Sequence, residues 1–460
     1  MFVGRNEELR ILKDRYSSNK TEMISVLGRR RVGKSQLLFE SYQDFDGIVF
    51  HYECFDTGYL DNLNKITNKI KKIFDNEYLS FNSLYDVILF LYKESKRQKI
   101  LFVLDEYPYM RTGKETDSEI KNAIDKINET DDTVLFKFIL CGSAVQVMEI
   151  LDDVNMPLHG RFNQIIRLEP LNYLYSSLFF ENVSNEDKVG YYSLLGGVPY
   201  YLKQINPNLS FKENIINLFF SSHPLLKTEL ENQINGEINK VENAHFILNV
   251  IREKMISYTD LLQKFNTSFP NKDIDYSLKK LLKMKVVTKI TVEQDNGKKK
   301  PYYIIKDNSL VFYYSFLLES SGNKLLFTDE EYYQTFIEEK LLKEFIPHAF
   351  EKIGNEFVAL MNKKHKFDFL LLDLFPYIVN DKTAKTNFQF DVVGKTADGL
   401  INFECKYQHE PISLKKVYQE ERQAELANKH FIQTIFISNS EVLGANSYYN
   451  LKDIFDKTLL

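Results

Sequence analysis

The sequence runs Thr21-Glu-Met-Ile-Ser-Val-Leu27, then Gly28-Arg-Arg-Arg-Val-Gly-Lys-Ser35, then Gln36-Leu-Leu-Phe-Glu-Ser-Tyr42. The first segment is apolar enough for a buried strand, and the last has apolar residues at helical spacing. The middle segment matches GxxxxGK[ST], and a strand, this loop and a helix in succession form the phosphate-binding P-loop. We therefore predict an α/β core with a parallel sheet built around this motif.

The P-loop residues have distinct chemical roles. Glycines at Gly28 and Gly33 allow backbone N–H groups to approach phosphate oxygens. Lys34 can reach the β- and γ-phosphates, and the Ser35 hydroxyl is a ligand for Mg²⁺. ATP and Mg²⁺ are therefore the predicted ligands.

A second apolar strand, Lys99 to Leu104, ends in Asp105 and Glu106. Parallel P-loop sheets present carboxylates at this edge, so we assign Asp105 to Mg²⁺ and Glu106 to the attacking water. The alternative is that both acids only end a strand. A third strand, Val134 to Leu140, is followed by Ser143. We place Ser143 between the P-loop and Asp105, where it could sense the γ-phosphate. The alternative is an ordinary turn residue at the end of a strand.

Composition limits the classes of protein to which the chain can belong. Its 460 residues predict about three domains of roughly 100–200 residues each. A net charge of −5 argues against a protein that coats nucleic acid with its whole surface, so any basic face is local. Three widely spaced cysteines and an N-terminus without a signal-peptide pattern predict a cytoplasmic protein without membrane spans.

Several further motifs carry a family resemblance. They are Phe2-Val-Gly-Arg-Asn-Glu7, the P-loop, Leu104-Asp-Glu-Tyr-Pro-Tyr109, Cys141-Gly-Ser143, Pro157-Leu-His-Gly-Arg161 and Gly196-Gly-Val-Pro199. With these the chain resembles the archaeal-type ATPases of the AAA+/STAND group over its whole length. The resemblance implies a core at 1–170 and a helical lid at 171–232, which includes Gly197 and Pro199. It also implies that Val3, Gly4 and Arg5 border the adenine.

The predicted nucleotide pocket combines motif and resemblance. Its residues are Val3, Gly4, Arg5, Gly28, Arg31, Val32, Gly33, Lys34, Ser35, Gln36, Asp105, Ser143 and Pro199. Arg161 follows an apparent loop and is a candidate arginine finger or nucleotide sensor, since a guanidinium stabilises charge on a transferring phosphoryl group. A trans-acting Arg161 would favour a homo-oligomer. The alternative is a surface arginine.

The middle of the chain has the pattern of a winged helix, which we place at 233–320. Three helical patterns, Ala244 to Lys254, Tyr258 to Phe265 and Ile274 to Lys285, precede a hairpin with the turn Asn296-Gly297. The third helix and the hairpin are rich in lysine, which predicts DNA phosphate contacts. The candidate contacts are Lys279, Lys280, Lys283, Lys298, Lys299 and Lys300. The alternative is a protein-interaction module with a solvated lysine face.

The last part, 321–460, predicts a second site. An amphipathic helix at 332–362 carries Glu351, and the segments Phe388 to Gly394 and Leu400 to Lys406 read as a hairpin that pairs Gly394 roughly with Leu400. This pairing would place Asp391 about 5 Å from Glu404. Lys406 lies on the same strand face as Glu404, since residues i and i+2 share a face.

This constellation resembles the PD-(D/E)xK site of restriction-endonuclease-like enzymes. Glu351, Asp391, Glu404 and Lys406 would be catalytic, with Asp391 and Glu404 as ligands of Mg²⁺ or Mn²⁺. Glu356 competes with Glu351 as the helix-borne acid. A salt-bridged strand pair, or a decayed nuclease fold used for binding, is the alternative.

Together these patterns predict a protein that binds and hydrolyses ATP and thereby controls a Mg²⁺-dependent nuclease acting on DNA, in defence or DNA processing. The alternative is a STAND-type switch, driven by ATP and ADP exchange, whose C-terminal domain binds nucleic acid or protein without cleavage.

Overall fold

A computed structural model describes residues 2–460 apart from 131–134, 144–150, 152, 253, 271, 295–298, 319–323, 382–385 and 428–429. The chain divides into two compact units, Met1–Pro170 (unit 1) and Leu171–Leu460 (unit 2). The three domains predicted beyond residue 170 all lie in unit 2, and their boundaries remain predictions. No helix in the described ranges is long and apolar enough to cross a membrane.

Unit 1 is a parallel sheet with helices. Its strands are β1 (Glu22–Gly28), β2 (Ile48–Glu53), β3 (Ile100–Asp105), β4 (Phe136–Ser143) and β5 (Gln164–Leu168). Its helices are α1 (Asn6–Ser17), α2 (Lys34–Ser41), α3 (Tyr59–Ile73), α4 (Leu84–Glu94) and α5 (Lys114–Asn128). All residues of β1 and β3 are buried, as expected for central parallel strands covered on both faces.

The sheet order is β2-β3-β4-β1-β5, with every described pairing parallel. Strand β4 lies between the P-loop strand and β3, and Ser143 at its end pairs with Gly28. The first strand begins and ends one residue later than predicted. Strand β4 begins at Phe136 rather than the predicted Val134, which lies outside the described residues.

The helices of unit 2 include several short ones. They are α6 (Tyr173–Ser177), α7 (Asn185–Leu195), α8 (Pro199–Leu202), α9 (Phe211–Ile215), α10 (Leu225–Glu237), α11 (Ala244–Ile251), α12 (Tyr258–Ser268), α13 (Asp275–Lys283), α14 (Asn308–Phe312), α15 (Asp329–Phe336), α16 (Glu338–Lys340), α17 (Ile346–Lys363), α18 (Leu414–Ala427) and α19 (Leu451–Ile454). One apolar cluster extends from Tyr173 to Leu459 and connects most of these helices, whereas the buried apolar residues of α18 lie in two smaller clusters.

The strands of unit 2 form one mixed sheet. They are β6 (Ile256–Ser257), β7 (Val287–Gln294), β8 (Lys299–Ile305), β9 (Asp373–Asp381), β10 (Thr386–Lys395), β11 (Leu400–Lys406), β12 (Phe431–Ser438) and β13 (Tyr448–Tyr449). Their order is β13-β12-β11-β10-β9-β7-β8-β6. Strands β7 and β8 pair antiparallel as the expected hairpin, and β7 also pairs with β9, so the hairpin and the C-terminal strands share a sheet.

The segment predicted as one long helix at 332–362 is helical, but as a succession of helical segments and not as one regular α-helix. Helix α15 ends at Phe336, a π-helical turn covers Leu341–Phe345, and α17 then carries the polar residues of interest. Pro347, which has no backbone N–H, lies in the first turn of α17, directly after this π-helical turn. The amphipathic pattern continued across this interruption, so periodicity alone did not reveal it.

Candidate functional sites

The P-loop has the backbone geometry that its glycines permit. Gly33 precedes α2 with φ +96°, a left-handed conformation that favours glycine. A side chain at Gly28 would place Cβ 2.8 Å from Val32 Cγ1 and 3.0 Å from the Leu168 carbonyl oxygen. Lys34 is buried, and its Nζ donates to the Gly28 carbonyl at 3.1 Å. The loop is therefore packed closely around its lysine.

Asp105 lies directly beside the P-loop helix. The Ser35 hydroxyl donates to Asp105 Oδ2 at 2.7 Å, and the Glu106 backbone N–H donates to Oδ1 at 2.8 Å. Burial would raise the pKa of Asp105, but hydrogen bonds from His51, Cys141, Ser35 and this backbone amide lower it below its ordinary value. A hydroxyl and an ionised carboxylate held together are suitable oxygen ligands for Mg²⁺, so these residues fit the ion.

Glu106 has an uncommon backbone conformation. Its φ of +47° is left-handed, and its carboxylate lies 3.7 Å from Lys34 Nζ. Burial, together with the charge of Asp105, raises the pKa of Glu106 despite the opposing charge of Lys34. A carboxylate with a raised pKa accepts a proton more readily near neutral pH.

Arg5 fixes the N-terminal segment against the P-loop. Its guanidinium donates to the Glu169 carbonyl at 2.6 Å and to the Val32 carbonyl at 3.4 Å. Val3 and Gly4 directly precede Arg5 in the chain. In the P-loop, the Arg31 backbone has a left-handed φ of +69°, and the Val32 side chain is buried in the core. The Gln36 side chain donates to Glu40 on the exposed face of α2.

Arg161 is bound within its own unit. Its Nε lies 2.7 Å from Asp125 Oδ1, and Asp125 also pairs with Lys121 at 2.9 Å. The side chains of Arg161 and Asp125 are 33% and 35% exposed. Both side chains are therefore partly exposed, although the Arg161 Nε atom itself is buried.

The motif Gly196-Gly-Val-Pro199 has a packing requirement of its own. A Cβ at Gly197 would lie 1.7 Å from the Leu171 carbonyl oxygen, and the Leu171 N–H donates to the Gly197 carbonyl at 2.8 Å. Pro199 begins α8. The glycine is explained by this backbone contact, and the role of Pro199 in binding a nucleotide remains a prediction.

The acidic cluster of unit 2 is assembled from a helix and two strands. Gly394 pairs with Ile401, one residue from the predicted Leu400, and the described β10–β11 pairing runs from Val393 to Lys395. Burial raises the pKa of Asp391, and the charge of Glu351 raises it further. Burial also raises the pKa of Glu404. Glu351 and Asp391 are thus close enough to interact, and Asp391 and Glu404 are both half-buried.

Glu351 and Glu356 face different surroundings. Glu351 interacts with Asp391 and lies 3.1 Å from His348 Nδ1. Glu356 instead accepts hydrogen bonds from the Tyr192 hydroxyl at 2.8 Å and the Tyr173 backbone N–H at 3.0 Å. Of the two candidates, Glu351 belongs with the acidic cluster, and Glu356 connects helix α17 to α6 and α7.

Lys406 is bound by two carboxylates. Its Nζ lies 2.5 Å from Glu404 Oε1 and 3.4 Å from Glu420 Oε1 on α18. Burial alone would lower the pKa of Lys406, but these carboxylates outweigh burial and raise it. Lys406 is therefore a charged ammonium that can orient a group, and it is poorly suited to remove a proton.

The acidic cluster fits Mg²⁺ only in part. Carboxylate oxygens are the donors that this ion prefers. Within the described residues, however, no three His, Cys, Asp or Glu side chains are arranged to hold a metal, and Glu404 is engaged by Lys406. A bound ion would require this ion pair to rearrange.

The lysine-rich face lies on α13 and the hairpin. Lys279, Lys283, Lys299 and Lys300 are exposed, whereas Lys280 is half-buried and donates to the Lys240 carbonyl at 3.3 Å. Lys298 and the turn Asn296-Gly297 lie outside the described residues. Tyr276 on α13 is 66% exposed.

Sequence reasoning missed three polar residues at these places. His51 on β2 lies 3.5 Å from Asp105, His348 contacts Glu351, and Glu420 contacts Lys406. His51 lies two residues before the end of β2, but this position predicts a contact with Asp105 only when β2 is known to pair with β3.

Comparisons with known proteins cover unit 1 and extend into unit 2. Residues 2–205 match the family described as an ATPase domain predominantly from Archaea. An uncharacterized protein of Methanocaldococcus jannaschii is 24% identical over 379 residues, which cover 81% of each chain. An uncharacterized ATP-binding protein of the same archaeon is 50% identical over 38 residues, or 8% of this chain and 64% of that protein.

Solved structures are similar at low identity. The Walker-type ATPase of Pyrococcus abyssi is 19% identical with a TM-score of 0.49, covering 68% of this chain and 96% of that one. The ORC2 protein of Aeropyrum pernix in its ADPNP and ADP complexes is 13% identical with a TM-score of 0.45, covering 67% and 92%. Residues 2–205 are thus similar to an ATPase domain found predominantly in Archaea, and the Ser35–Asp105 contact beside the P-loop supports a P-loop ATPase domain in this part of the chain.

Proposed function

We propose that the protein hydrolyses ATP in unit 1 and uses this cycle to control a Mg²⁺-dependent nuclease in unit 2. The observation that carries the first half is the hydrogen bond between Ser35 and Asp105 beside Glu106. It places a hydroxyl, an ionised carboxylate and a second acid at the P-loop edge of the sheet, as phosphoryl transfer to water requires.

In the proposed hydrolysis, each residue has one task. Ser35 and Asp105 hold Mg²⁺, which neutralises charge on the phosphates when bound. Lys34 binds phosphate oxygens, and Glu106 orients the attacking water and accepts its proton. Ser143 lies at the end of β4, next to Gly28, and we assign it to sensing the γ-phosphate.

The second half of the proposal rests on the acidic cluster. Glu351, Asp391 and Glu404 come from a helix and two adjacent strands, with the charged Lys406 beside them. The arrangement of α17, β9, β10, β11, α18 and β12 follows the αβββαβ order of restriction-endonuclease-like folds. Lys406 would orient a scissile phosphate rather than act as a base, because its pKa is raised.

DNA is the proposed substrate. Helix α13 and the β7–β8 hairpin present exposed lysines, which suits phosphate contacts that are independent of sequence. We propose that this module is a winged helix that delivers DNA to the acidic cluster. The lid and Arg161 would report the nucleotide state, within a homo-oligomer if Arg161 acts in trans.

The ion pair between Lys406 and Glu404 favours a second candidate function. A cluster neutralised by its own lysine is compatible with a domain that binds nucleic acid or protein without cutting it. The protein would then be a STAND-type switch driven by nucleotide exchange. This candidate predicts slow hydrolysis and no cleavage.

DNA cleavage assays separate the two functions. Plasmid and linear DNA are incubated with Mg²⁺ or Mn²⁺, with and without ATP, using wild type, Asp391→Ala and Glu356→Gln. We expect cleavage by wild type, loss in Asp391→Ala, and retention in Glu356→Gln, whose carboxylate faces away from the cluster. Equal cleavage by wild type and Asp391→Ala points to contamination, and absence of cleavage under every condition favours the switch.

A further inference from the structure

A chain of polar side chains runs from the P-loop helix to the carboxylate of Asp105 through His51. The Tyr42 hydroxyl lies 2.8 Å from His51 Nδ1, and His51 Nε2 lies 3.5 Å from Asp105 Oδ2. The same Oδ2 accepts the hydrogen bond from Ser35 at 2.7 Å. Tyr42 directly follows α2, whereas Ser35 lies in the first turn of that helix.

These contacts close a ring. The first turn of α2 reaches Asp105 through Ser35, and the end of the same helix reaches Asp105 through Tyr42 and His51. Strand β2, which carries His51, pairs directly with β3, and Glu53 is the partner of Asp105. The orientation of the carboxylate is thus supported from the P-loop helix and from the neighbouring strand.

The chemistry of the ring fixes the roles of the two histidine nitrogens. An ionised carboxylate only accepts hydrogen bonds, so Nε2 must carry the hydrogen that points at Asp105. In a neutral imidazole, Nδ1 of His51 then accepts a hydrogen bond from the Tyr42 hydroxyl. His51 is 22% exposed and Asp105 1% exposed, so little water competes for the carboxylate.

The contacts of Asp105 also show what His51 contributes when Mg²⁺ binds. If Ser35 and Asp105 held the ion, the direct hydrogen bond between them would be given up. The remaining supports of the carboxylate are then His51 and the Glu106 backbone N–H at Oδ1. Partners of this second layer typically change metal affinity by about 10–100-fold when they are removed.

We propose that His51, oriented by Tyr42, is a positioning residue that holds the Asp105 carboxylate for Mg²⁺ in the ATPase site. The inference rests on the proposed role of Asp105 as a Mg²⁺ ligand. It assigns His51 no contact with ATP, and it requires His51 to act through Asp105 alone.

The test measures ADP affinity as a function of Mg²⁺ concentration by calorimetry, together with the Mg²⁺ dependence of ATP turnover. We expect His51→Ala to raise the Mg²⁺ concentration for half-maximal effect by about 10-fold, with ADP affinity in EDTA unchanged. His51→Gln, which retains a side-chain N–H, should recover part of this loss. Tyr42→Phe should give a smaller shift in the same direction.

Tyr16→Phe is the matched control. The Tyr16 hydroxyl forms a hydrogen bond with Ser41 at 2.9 Å. The substitution therefore removes a buried tyrosine contact at the same end of α2 and leaves the contacts among Tyr42, His51 and Asp105 in place. Its Mg²⁺ dependence should equal that of wild type. Equal shifts in Tyr16→Phe and Tyr42→Phe, or wild-type Mg²⁺ dependence in folded His51→Ala and Tyr42→Phe, overturn the inference.

Asp105→Ala distinguishes failure of the inference from failure of the proposed function. If Asp105→Ala changes the Mg²⁺ dependence and His51→Ala does not, only the role of His51 is wrong. If Asp105→Ala leaves the Mg²⁺ dependence unchanged, the proposed metal site and the inference are both wrong.

Discussion

Lys406 Nζ lies 2.5 Å from Glu404 Oε1, two residues away on the same strand. The lysine thus takes the position of a cation among buried carboxylates. This relationship decides what the acidic cluster can bind, because a divalent ion and an ammonium would compete for the same oxygen. It also makes the cation affinity of the cluster measurable without any assay of DNA cleavage.

We expect Lys406→Met to destabilise the protein without added metal and to increase its response to Mg²⁺ or Mn²⁺. Removing one partner of a fully buried ion pair costs about 3–5 kcal/mol, and we expect about 2 kcal/mol here because of partial exposure. Glu404 and Lys406 are 15% and 28% exposed. Melting temperatures measured with and without each ion give the result, and Lys415→Met, an exposed lysine on α18, is the control. An equal metal response in both variants contradicts a cation site.

The predicted parts of the two sites differ in how well the sequence could define them. The P-loop is local, so Gly28, Lys34 and Ser35 were identifiable from contiguous residues and a family match now supports the domain. The side chain of Glu351 could not be separated from Glu356 by periodicity, because the choice depends on the partners Asp391 and Tyr192. His51 depends on strand order, which no local pattern specifies.

The interruption of the helix predicted at 332–362 was also not visible in the local sequence pattern. Amphipathic spacing continues through Leu341–Phe345, whereas the backbone there forms a π-helical turn. Likewise, the union of the β7–β8 hairpin with β9 is a long-range pairing between Glu293 and Tyr377. Contacts so distant in sequence leave no periodic signal in either segment.

Glu106→Gln should separate nucleotide binding from turnover. The amide keeps the size of the side chain but accepts a proton poorly, so turnover should fall by about 100-fold or more while ATP affinity remains. Lys34→Ala should instead lose affinity, since it removes the buried ammonium of the P-loop. Filter binding and phosphate release measure the two quantities. Normal turnover in Glu106→Gln would refute the assignment of the base.

Gly197→Ala should destabilise unit 2. The added Cβ would lie 1.7 Å from the Leu171 carbonyl oxygen, so the backbone must move, at a cost of about 2 kcal/mol or more. Gly236→Ala is the matched control, because Gly236 lies in α10 and its Cβ would meet no atom within 4 Å. That change should be neutral or stabilising by up to about 1 kcal/mol. Urea unfolding compares the two variants, and equal stabilities would contradict the packing argument.

Glu356 should make stability depend on pH. Burial raises the pKa of Glu356 above the ordinary value of 4.5, although Lys352, the Tyr173 N–H and Tyr192 oppose this. The folded protein therefore binds this proton more tightly than the unfolded chain. The stabilisation is complete below pH 4.5 and is lost as pH rises through the raised pKa.

Urea unfolding from pH 4 to pH 8 tests this expectation. The free energy of unfolding of wild type relative to Glu356→Gln should fall as pH rises through this range, since glutamine does not titrate. Glu339→Gln is a suitable control because Glu339 is exposed and its pKa is lowered by Lys343. A constant difference between wild type and Glu356→Gln across the range would show that burial does not perturb this carboxyl.

Arg161 allows the proposed oligomer to be tested. Its contact with Asp125 is surface-exposed, so Arg161→Ala should cost less than about 1 kcal/mol of stability. An arginine finger contributes about 10³-fold or more to turnover, so hydrolysis should fall steeply while ATP affinity is kept. Asp125→Asn, which releases the guanidinium, should retain turnover.

Mixing experiments then distinguish action in trans from action within one subunit. Arg161→Ala retains its own P-loop, and Lys34→Ala retains its arginine, so a mixed assembly contains sites with both groups intact. We expect turnover in the mixture to exceed the sum of the two separate variants. A strictly additive rate in mixtures that demonstrably assemble would place Arg161 in its own subunit's site, and unchanged turnover in Arg161→Ala would leave it as a surface residue paired with Asp125.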